Sequence, residues 1–140
     1  MKKIVLKGRT VFGGSVEGEA LVTKQSWAAF MAVDIYTGDV TERGHELSGR
    51  SVAGKVLVFP TGKGSSGWSI GSQALRFTGK APLALVIREV NSQTALGAVV
   101  MRVPAVSNLD RDPTEVIATG DWVKVYADEG IVKVTKKGQT

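Results

Sequence analysis

The chain has 140 residues, of which 43% are hydrophobic, 22% are charged and none is cysteine, and its formal net charge is +5. The length and composition predict one globular domain over residues 1–140, and the lack of cysteine excludes disulfides and thiolate metal ligands within the chain. Much of the basic excess lies near the two ends and is not interleaved with aromatic residues, so we expect no nucleic-acid partner.

The first half of the chain is predicted to form short strands between glycine-rich turns. The first predicted strand is Lys2–Leu6, whose apolar stretch is too short for a signal peptide or a membrane helix. We therefore expect a cytoplasmic protein that makes no membrane contact. A second strand is predicted over Glu17–Lys24, after a glycine-rich connection over Val11–Val16. Residues 25–50 are predicted to be irregular.

The middle of the chain is predicted to alternate strands with helices. The predicted strands are Lys55–Phe59, Pro82–Ile87 and Val103–Val106. Helices are predicted from Gly67 to Gly79, from Asn91 or Ser92 through Leu96, and from Asp112 to Gly120. The last of these helices combines Asp112 as N-cap, Pro113 in the first turn and Glu115 at a capping-box position.

A hairpin is predicted at the C-terminal end, with strands over Asp121–Tyr126 and Gly130–Val134. The whole pattern predicts an α+β fold in which layered short β-strands carry helices on one side. Continuous apolar character in Pro82–Ile87 indicates a strand that is covered on both faces.

One segment offers a candidate chemical site, namely residues 60–67, which lie between a predicted strand and a predicted helix. Here backbone N–H groups are expected to gather around the hydroxyls of Ser65 and Ser66 and the ammonium of Lys63. Such a turn favours a bound anion, or a serine that carries negative charge. A simpler alternative is that one of the two serines only caps the helix.

Other polar residues give weaker signals. His45 is the only histidine, and a single imidazole in a predicted loop is expected to be solvated and cannot build a metal site. Arg88 and Arg102 each follow an apolar run, so either could hold a carboxylate. Asp34 could approach the glycine-rich turn, although nothing local indicates that it does.

Several segments resemble, in order and over nearly the whole chain, the small swivel-domain subunit of the aconitase X family. These segments are Val16–Lys24, Ser51–Pro60, Gly62–Ser66, Thr119–Val123 and Ala127–Gly130. The resemblance implies a swivelling, barrel-like β/β/α domain that closes over a large catalytic subunit. It also implies a hydro-lyase, active only as the complex, that removes water from a small hydroxy acid.

The resemblance assigns roles to residues of the glycine-rich turn. Ser65 is implied to be the proton acceptor, and Lys63, Gly64 and Ser66 are implied to support it and to contact substrate. An iron ion or iron–sulfur cluster is expected on the large subunit, and no metal or cofactor is expected on this chain alone.

Two substrates are consistent with the resemblance, namely cis-3-hydroxy-L-proline and a phosphorylated mevalonate. The chain departs from the archaeal phosphomevalonate pattern at three places: it has Met31-Ala32 where two glycines are expected, Ile35-Tyr36 where Pro-Glu is expected, and Trp68 where a small residue is expected. These departures favour hydroxyproline, with phosphomevalonate as the alternative. A non-catalytic anion-binding or regulatory module is a third possibility.

Overall fold

The computed structural model describes residues 2–64 and 67–138, and Ser65 and Ser66 lie outside the described residues. The strands are β1 Lys3–Lys7, β2 Arg9–Phe12, β3 Ser15–Val22, β4 Val56–Phe59, β5 Ala84–Ile87, β6 Ala105–Ser107, β7 Trp122–Tyr126 and β8 Ile131–Thr135. The helices are α1 Gly67–Thr78, α2 Ser92–Met101 and the short α3 Pro113–Val116. A 3-10 turn, Ala127–Glu129, joins β7 to β8.

The eight strands follow the order β1-β8-β7-β3-β4-β5-β6-β2. Pairing is antiparallel from β1 to β3, parallel from β3 to β6, and antiparallel again between β6 and β2. The two outer strands of this order, β1 and β2, are separated in the chain only by Gly8. The sheet therefore curls back on itself in a barrel-like arrangement.

Gly8 forms the corner at which the chain passes from one edge of the sheet to the other. Its N–H donates to the carbonyl of Gly130 at 2.8 Å. A Cβ at this position would lie 2.4 Å from the carbonyl oxygen of Ser107, a distance that real Cβ atoms do not show. The corner therefore depends on a residue without a side chain.

Strands β4 and β5 are fully buried, and their side chains alternate between two cores. Val56 and Val58 of β4 point into the barrel core, which also contains Leu6 and Val125. Leu57 and Phe59 point the other way, into a helix core that they share with residues of α1 and α2. Since β5 alternates in the same sense, the layers are sheet, sheet and helix.

This architecture confirms the predicted α+β fold with layered strands, and α1 and α2 lie on one side as expected. The prediction is wrong for α3, because its Val116 packs against the barrel core. The predicted central strands, the terminal hairpin and the helix that follows Gly67 are also found. One strand was missed, because Arg9–Phe12 forms β2 at a position where only a connection was expected. Helix α2 is longer than predicted and ends at Met101, whereas α3 is shorter and ends at Val116.

Asp121 stabilises the point at which β3 changes partners from β7 to β4. The backbone of Ala20, the first β3 residue paired with β4, bonds to Gly120 and Asp121 at 3.0 and 2.8 Å. The carboxylate of Asp121 is 1% exposed and accepts hydrogen bonds from the backbone N–H groups of Ala118 and Lys137 and from the ammonium of Lys136. Burial alone would raise the pKa of Asp121, but these donors hold it below its usual range.

We expect Asp121→Asn to lower the free energy of unfolding by about 2 kcal/mol at pH 7, because charged hydrogen bonds to a buried group are lost. The folded-state pKa of the carboxyl is lowered, so its stabilisation is complete above the ordinary pKa of about 3.9. This stabilisation is then lost as the pH falls through the folded-state pKa of Asp121. Urea unfolding between pH 3 and pH 7 measures this difference.

The matched control for this prediction is Glu129→Gln, which removes an exposed carboxylate near the same hairpin. This variant is expected to change stability by less than about 0.5 kcal/mol at any of these pH values. A difference between Asp121→Asn and the natural chain that stays constant down to pH 3 would contradict the assignment of the stabilisation to the ionised Asp121.

Candidate functional site

The glycine-rich loop Pro60–Gly64 lies at the carboxyl end of the parallel strand β4, immediately before the segment that leads into α1. The loops after β5 and β6 lie at the same edge of the sheet. The N–H groups of Arg88 and Glu89, which follow β5, donate to the carbonyls of Phe59 and Pro60 at 3.1 and 3.0 Å. Ligand sites of open parallel sheets are found at this edge, where the described part of the glycine-rich loop also lies.

Four hydrogen bonds with residues outside the loop hold its backbone. The N–H of Trp27 donates to the carbonyl of Thr61 at 3.2 Å, and the N–H of Lys63 donates to the carbonyl of Trp27 at 3.0 Å. The side-chain amide of Asn91 donates to the carbonyl of Gly62 at 2.9 Å. The indole N–H of Trp68 donates to the carbonyl of Lys63 at 2.7 Å.

A buried aromatic cluster made of Trp27, Phe59 and Trp68 lies directly beneath the loop. The rings of Trp27 and Trp68 meet edge to face with centroids 5.3 Å apart, and Phe59 stacks on Trp68 at 6.3 Å. All three side chains are at most 1% exposed. The loop therefore rests on a rigid apolar base.

The predicted site residues have different environments. Gly64 is exposed and has a φ of 99°, a conformation that favours glycine. The ammonium of Lys63 contacts the carboxylate of Glu42, so its charge is already partnered. The predicted roles of Ser65 and Ser66 concern residues outside the described part of the chain. Helix α1, which follows them, has no acidic side chain in its first turn, so the positive end of its dipole is not neutralised there.

Of the two candidate arginines, only Arg88 lies at the edge of the sheet that carries the glycine-rich loop. Its guanidinium is 3.5 Å from Asp112. Burial alone would raise the pKa of Asp112, but the hydroxyl and N–H of Thr114, together with Arg88, hold it below its usual range. Arg102 ends α2 in a left-handed conformation before the start of β6, at the opposite edge of the sheet.

His45 does not behave as the sequence predicts. It is 6% exposed, its Nε2 lies 2.9 Å from the carbonyl of Ser26, and its Nδ1 accepts the N–H of Leu47 at 3.1 Å. The expectation of a solvated imidazole is therefore wrong, because the ring is buried and contacts the backbone of both Ser26 and Leu47. Within residues 2–64 and 67–138, no three His, Asp or Glu side chains are grouped so that they could hold a metal ion.

A cleft of about 210 Å³ opens beside the loop, between the first turns of α1 and α2. It is lined by Trp68, Ser69, Ser92, Gln93 and Leu96. Mostly apolar walls with a few hydroxyl and amide groups suit part of a small organic molecule.

In the described part of the chain, no helix is long and apolar enough to cross a membrane.

The β/β/α layers, with a glycine-rich loop at the strand ends that leads into a helix, define a swivel domain. A family model of the aconitase X swivel domain matches residues 5–134. The chain belongs to this family.

Similar proteins agree with this assignment. The phosphomevalonate dehydratase small subunit of Methanosarcina mazei is 40% identical over 139 residues, which cover 99% of this chain and 96% of that protein. The protein of the same name from Thermococcus onnurineus is 41% identical over 129 residues, covering 92% and 97%. The crystal structure of Thermococcus kodakaraensis aconitase X in its holo-form superposes with a TM-score of 0.89 at 38% identity, covering 95% of this chain and 99% of that one.

The sequence did not indicate which residues support the loop. Asn91 was predicted only as a helix cap, and it does accept the N–H of Thr94 at 3.0 Å, but its amide also reaches Gly62. Trp27 was expected only to belong to an apolar patch, and Trp68 was noted only as a large residue where the resemblance implies a small one. The contacts of Trp27 with Phe59, Thr61 and Lys63 join segments more than 30 residues apart, which no local pattern shows.

Gly62 provides a test of how tightly the loop is packed. A Cβ at Gly62 would lie 1.9 Å from the hydroxyl of Thr94 and 2.9 Å from the ring of Trp68. We therefore expect Gly62→Ala to lower the free energy of unfolding by about 2 kcal/mol, because an overpacked site must distort its surroundings. Urea unfolding of the full chain measures the loss.

Thr94→Ala supplies the matched partner for a double-mutant cycle, since it removes the hydroxyl that a new Cβ would meet first. We expect Gly62→Ala combined with Thr94→Ala to be more stable than the sum of the two single effects predicts. Simple additivity would show that the loop accommodates the methyl group without contacting Thr94.

Proposed function

We propose that this chain is the small subunit of a two-subunit dehydratase of aconitase X type, and that the complex removes water from a phosphomevalonate. The observation that carries the proposal is the match, along nearly the full length of both chains, to small subunits of that name at about 40% identity. Hydroxyproline, which the three sequence departures favoured, receives less support, because these relatives are named for phosphomevalonate.

The structure gives each of the three departures from the archaeal pattern an explanation that does not involve the substrate. Trp68 belongs to the buried aromatic cluster, so the larger residue alters packing beneath the loop. Met31 has a φ of 63°, the backbone conformation that a glycine adopts most easily, so the backbone there is compatible with the glycine expected from the family. Tyr36 is 75% exposed in a turn stabilised by Asp34.

The physical character of the site suits an anionic substrate. The chain has a net charge of +5, the helix that follows the loop starts with no acidic residue in its first turn, and Lys63 and Arg88 lie at the same edge of the sheet. Both cations have carboxylate partners, Glu42 and Asp112, which a substrate carboxylate or phosphate would have to displace or bridge. Such exchange would couple substrate binding to rearrangement of the loops at this edge.

An iron ion or iron–sulfur cluster would be held by the large subunit. Iron–sulfur clusters are held mainly by cysteine thiolates, which this sequence lacks, and the described residues offer no group of three His, Asp or Glu side chains. The donor set of this chain therefore does not fit an iron ion or an iron–sulfur cluster.

Ser65 is proposed to accept the proton that must leave carbon when water is eliminated. A neutral serine hydroxyl is too weak a base, so Ser65 is proposed to act as the alkoxide, whose negative charge needs stabilisation until the proton is taken up and a neutral hydroxyl is formed. The start of α1, which carries about half a positive elementary charge, and the N–H groups of the loop backbone are proposed to provide it. Closure of the small subunit over the large one would exclude water and strengthen these interactions.

The first test is anaerobic reconstitution of this chain with the large subunit of its native host. We expect the complex to dehydrate a phosphomevalonate, and neither subunit to do so alone. We expect Ser65→Ala to assemble normally but to lose at least a hundredfold in kcat, because a general base contributes roughly 10²–10⁴ to rate. Ser48→Ala, which alters an exposed loop serine, is the control and is expected to keep full activity.

Three outcomes of this experiment would contradict different parts of the proposal. Turnover of cis-3-hydroxy-L-proline without turnover of phosphomevalonate would overturn the substrate. Full activity of Ser65→Ala would overturn the role of the serine and favour a non-catalytic module. If the chain bound no large subunit, the dehydratase proposal itself would be wrong.

Arg88 provides a second test, because it lies at the loop edge of the sheet whereas Arg102 lies at the opposite edge. We expect Arg88→Gln to raise the KM for the substrate anion about tenfold and to change kcat little, as the loss of one charged hydrogen bond implies. Arg102→Gln keeps the same net charge as that variant and is expected to leave KM unchanged. Equal effects of the two variants would point to overall charge, not to a contact at the site.

A further inference from the structure

Two side chains outside the glycine-rich loop determine the orientation of its peptide groups. The unit between Gly62 and Lys63 is held at both ends: its carbonyl accepts from Asn91, and its N–H donates to the carbonyl of Trp27. The next unit, between Lys63 and Gly64, has its carbonyl held by the indole N–H of Trp68. These are the last two peptide units of the loop before the proposed catalytic serine.

The contact from Trp68 fixes the direction of a backbone donor. No peptide bond in the described chain is cis, and in a trans peptide the N–H points opposite to the carbonyl of the same unit. With the carbonyl of Lys63 turned toward the indole, the N–H of Gly64 must point away from the aromatic cluster. Gly64 is exposed with a φ of 99°, a position where a glycine can change its backbone conformation with little steric resistance.

The indole itself cannot easily move. The ring of Trp68 is 1% exposed, contacts Trp27 and Phe59, and lies so close to α2 that a Cβ at Gly97 would be 2.6 Å from it. Asn91 is likewise fixed, because the same amide side chain accepts the N–H and the hydroxyl of Thr94 at the start of α2. The two donors that hold the loop therefore belong to the rigid helix layer.

We propose that Trp68 and Asn91 are positioning residues for the dehydration, which keep the N–H of Gly64 directed into the site where negative charge develops. The expected effect on dehydration rests on the proposed function, whereas the two contacts with the loop do not. Neither residue is assigned contact with substrate. Each acts through the backbone that precedes Ser65.

Trp68→Phe is the decisive variant, since it removes the indole N–H and keeps an aromatic ring in the cluster. In the reconstituted complex we expect kcat to fall about tenfold while KM changes less than twofold, because a misdirected donor is lost mainly in the transition state. Asn91→Asp keeps the oxygen that caps α2 but lacks the donor to Gly62, and it is expected to act in the same direction.

Two tryptophan variants serve as matched controls. Trp27→Phe removes the same atoms from the same cluster, but its buried indole N–H has no hydrogen-bond partner among the described residues. It is expected to cost comparable stability with a smaller fall in kcat. Trp122→Phe removes an indole N–H that donates to Glu17 on the far sheet, and it is expected to leave kcat within twofold of the natural complex.

A second measurement does not depend on turnover. In the isotope-labelled full chain, the carbonyl ¹³C resonance of Lys63 should move upfield in Trp68→Phe and move less in Trp27→Phe, because only the first variant removes its hydrogen bond. An unchanged Lys63 resonance in Trp68→Phe, or equal kcat losses in Trp68→Phe and Trp27→Phe, would overturn the inference. A natural complex that dehydrates neither substrate would overturn the proposed function and would leave the resonance measurement as an independent test of the contact.

Discussion

The double burial of strands β4 and β5 is the constraint on which the remaining structure depends. Their residues alternate between the barrel core and the helix core, and no position in either strand reaches solvent. A strand buried on both faces must be covered by a second β layer and by helices, which requires crossover connections. The carboxyl ends of these strands then open into loops at one edge, and the glycine-rich loop is the first of these.

The helix layer that covers these strands contributes to the site, and the barrel layer contributes to the stability of the sheet. The helix layer supplies Trp68 from α1 and Asn91 from the start of α2, and both hold loop carbonyls. The barrel layer contributes through Asp121, whose buried carboxylate stabilises the change of pairing partners along β3. Stability and site geometry therefore share the same contacts, so variants beneath the loop are expected to alter both.

The sequence predicted the elements whose evidence is local. Apolar runs located β4 and β5, Asp112 and Pro113 located the start of α3, and the glycine-rich turn located the candidate site. Strand β2 was missed because its four residues are not buried and their pairing with β6 spans almost 100 residues. Helix α2 extends past Gly97 because that glycine packs against Trp68, and this tertiary contact outweighs its poor helix propensity.

The supporting contacts of the site could not be predicted, because they depend on the tertiary fold and have no local sequence signal. A buried His45 that accepts one N–H and contacts a distant carbonyl has the same local sequence as a solvated one, and only the folded loop distinguishes them. Trp68 is the clearest case, because a large residue in place of a small one suggested a change of substrate. Its ring is buried, and its indole N–H donates a hydrogen bond to the carbonyl of Lys63. The substitution therefore changes how the loop is held. A change of supporting residue beneath an unchanged loop sequence is compatible with an unchanged reaction.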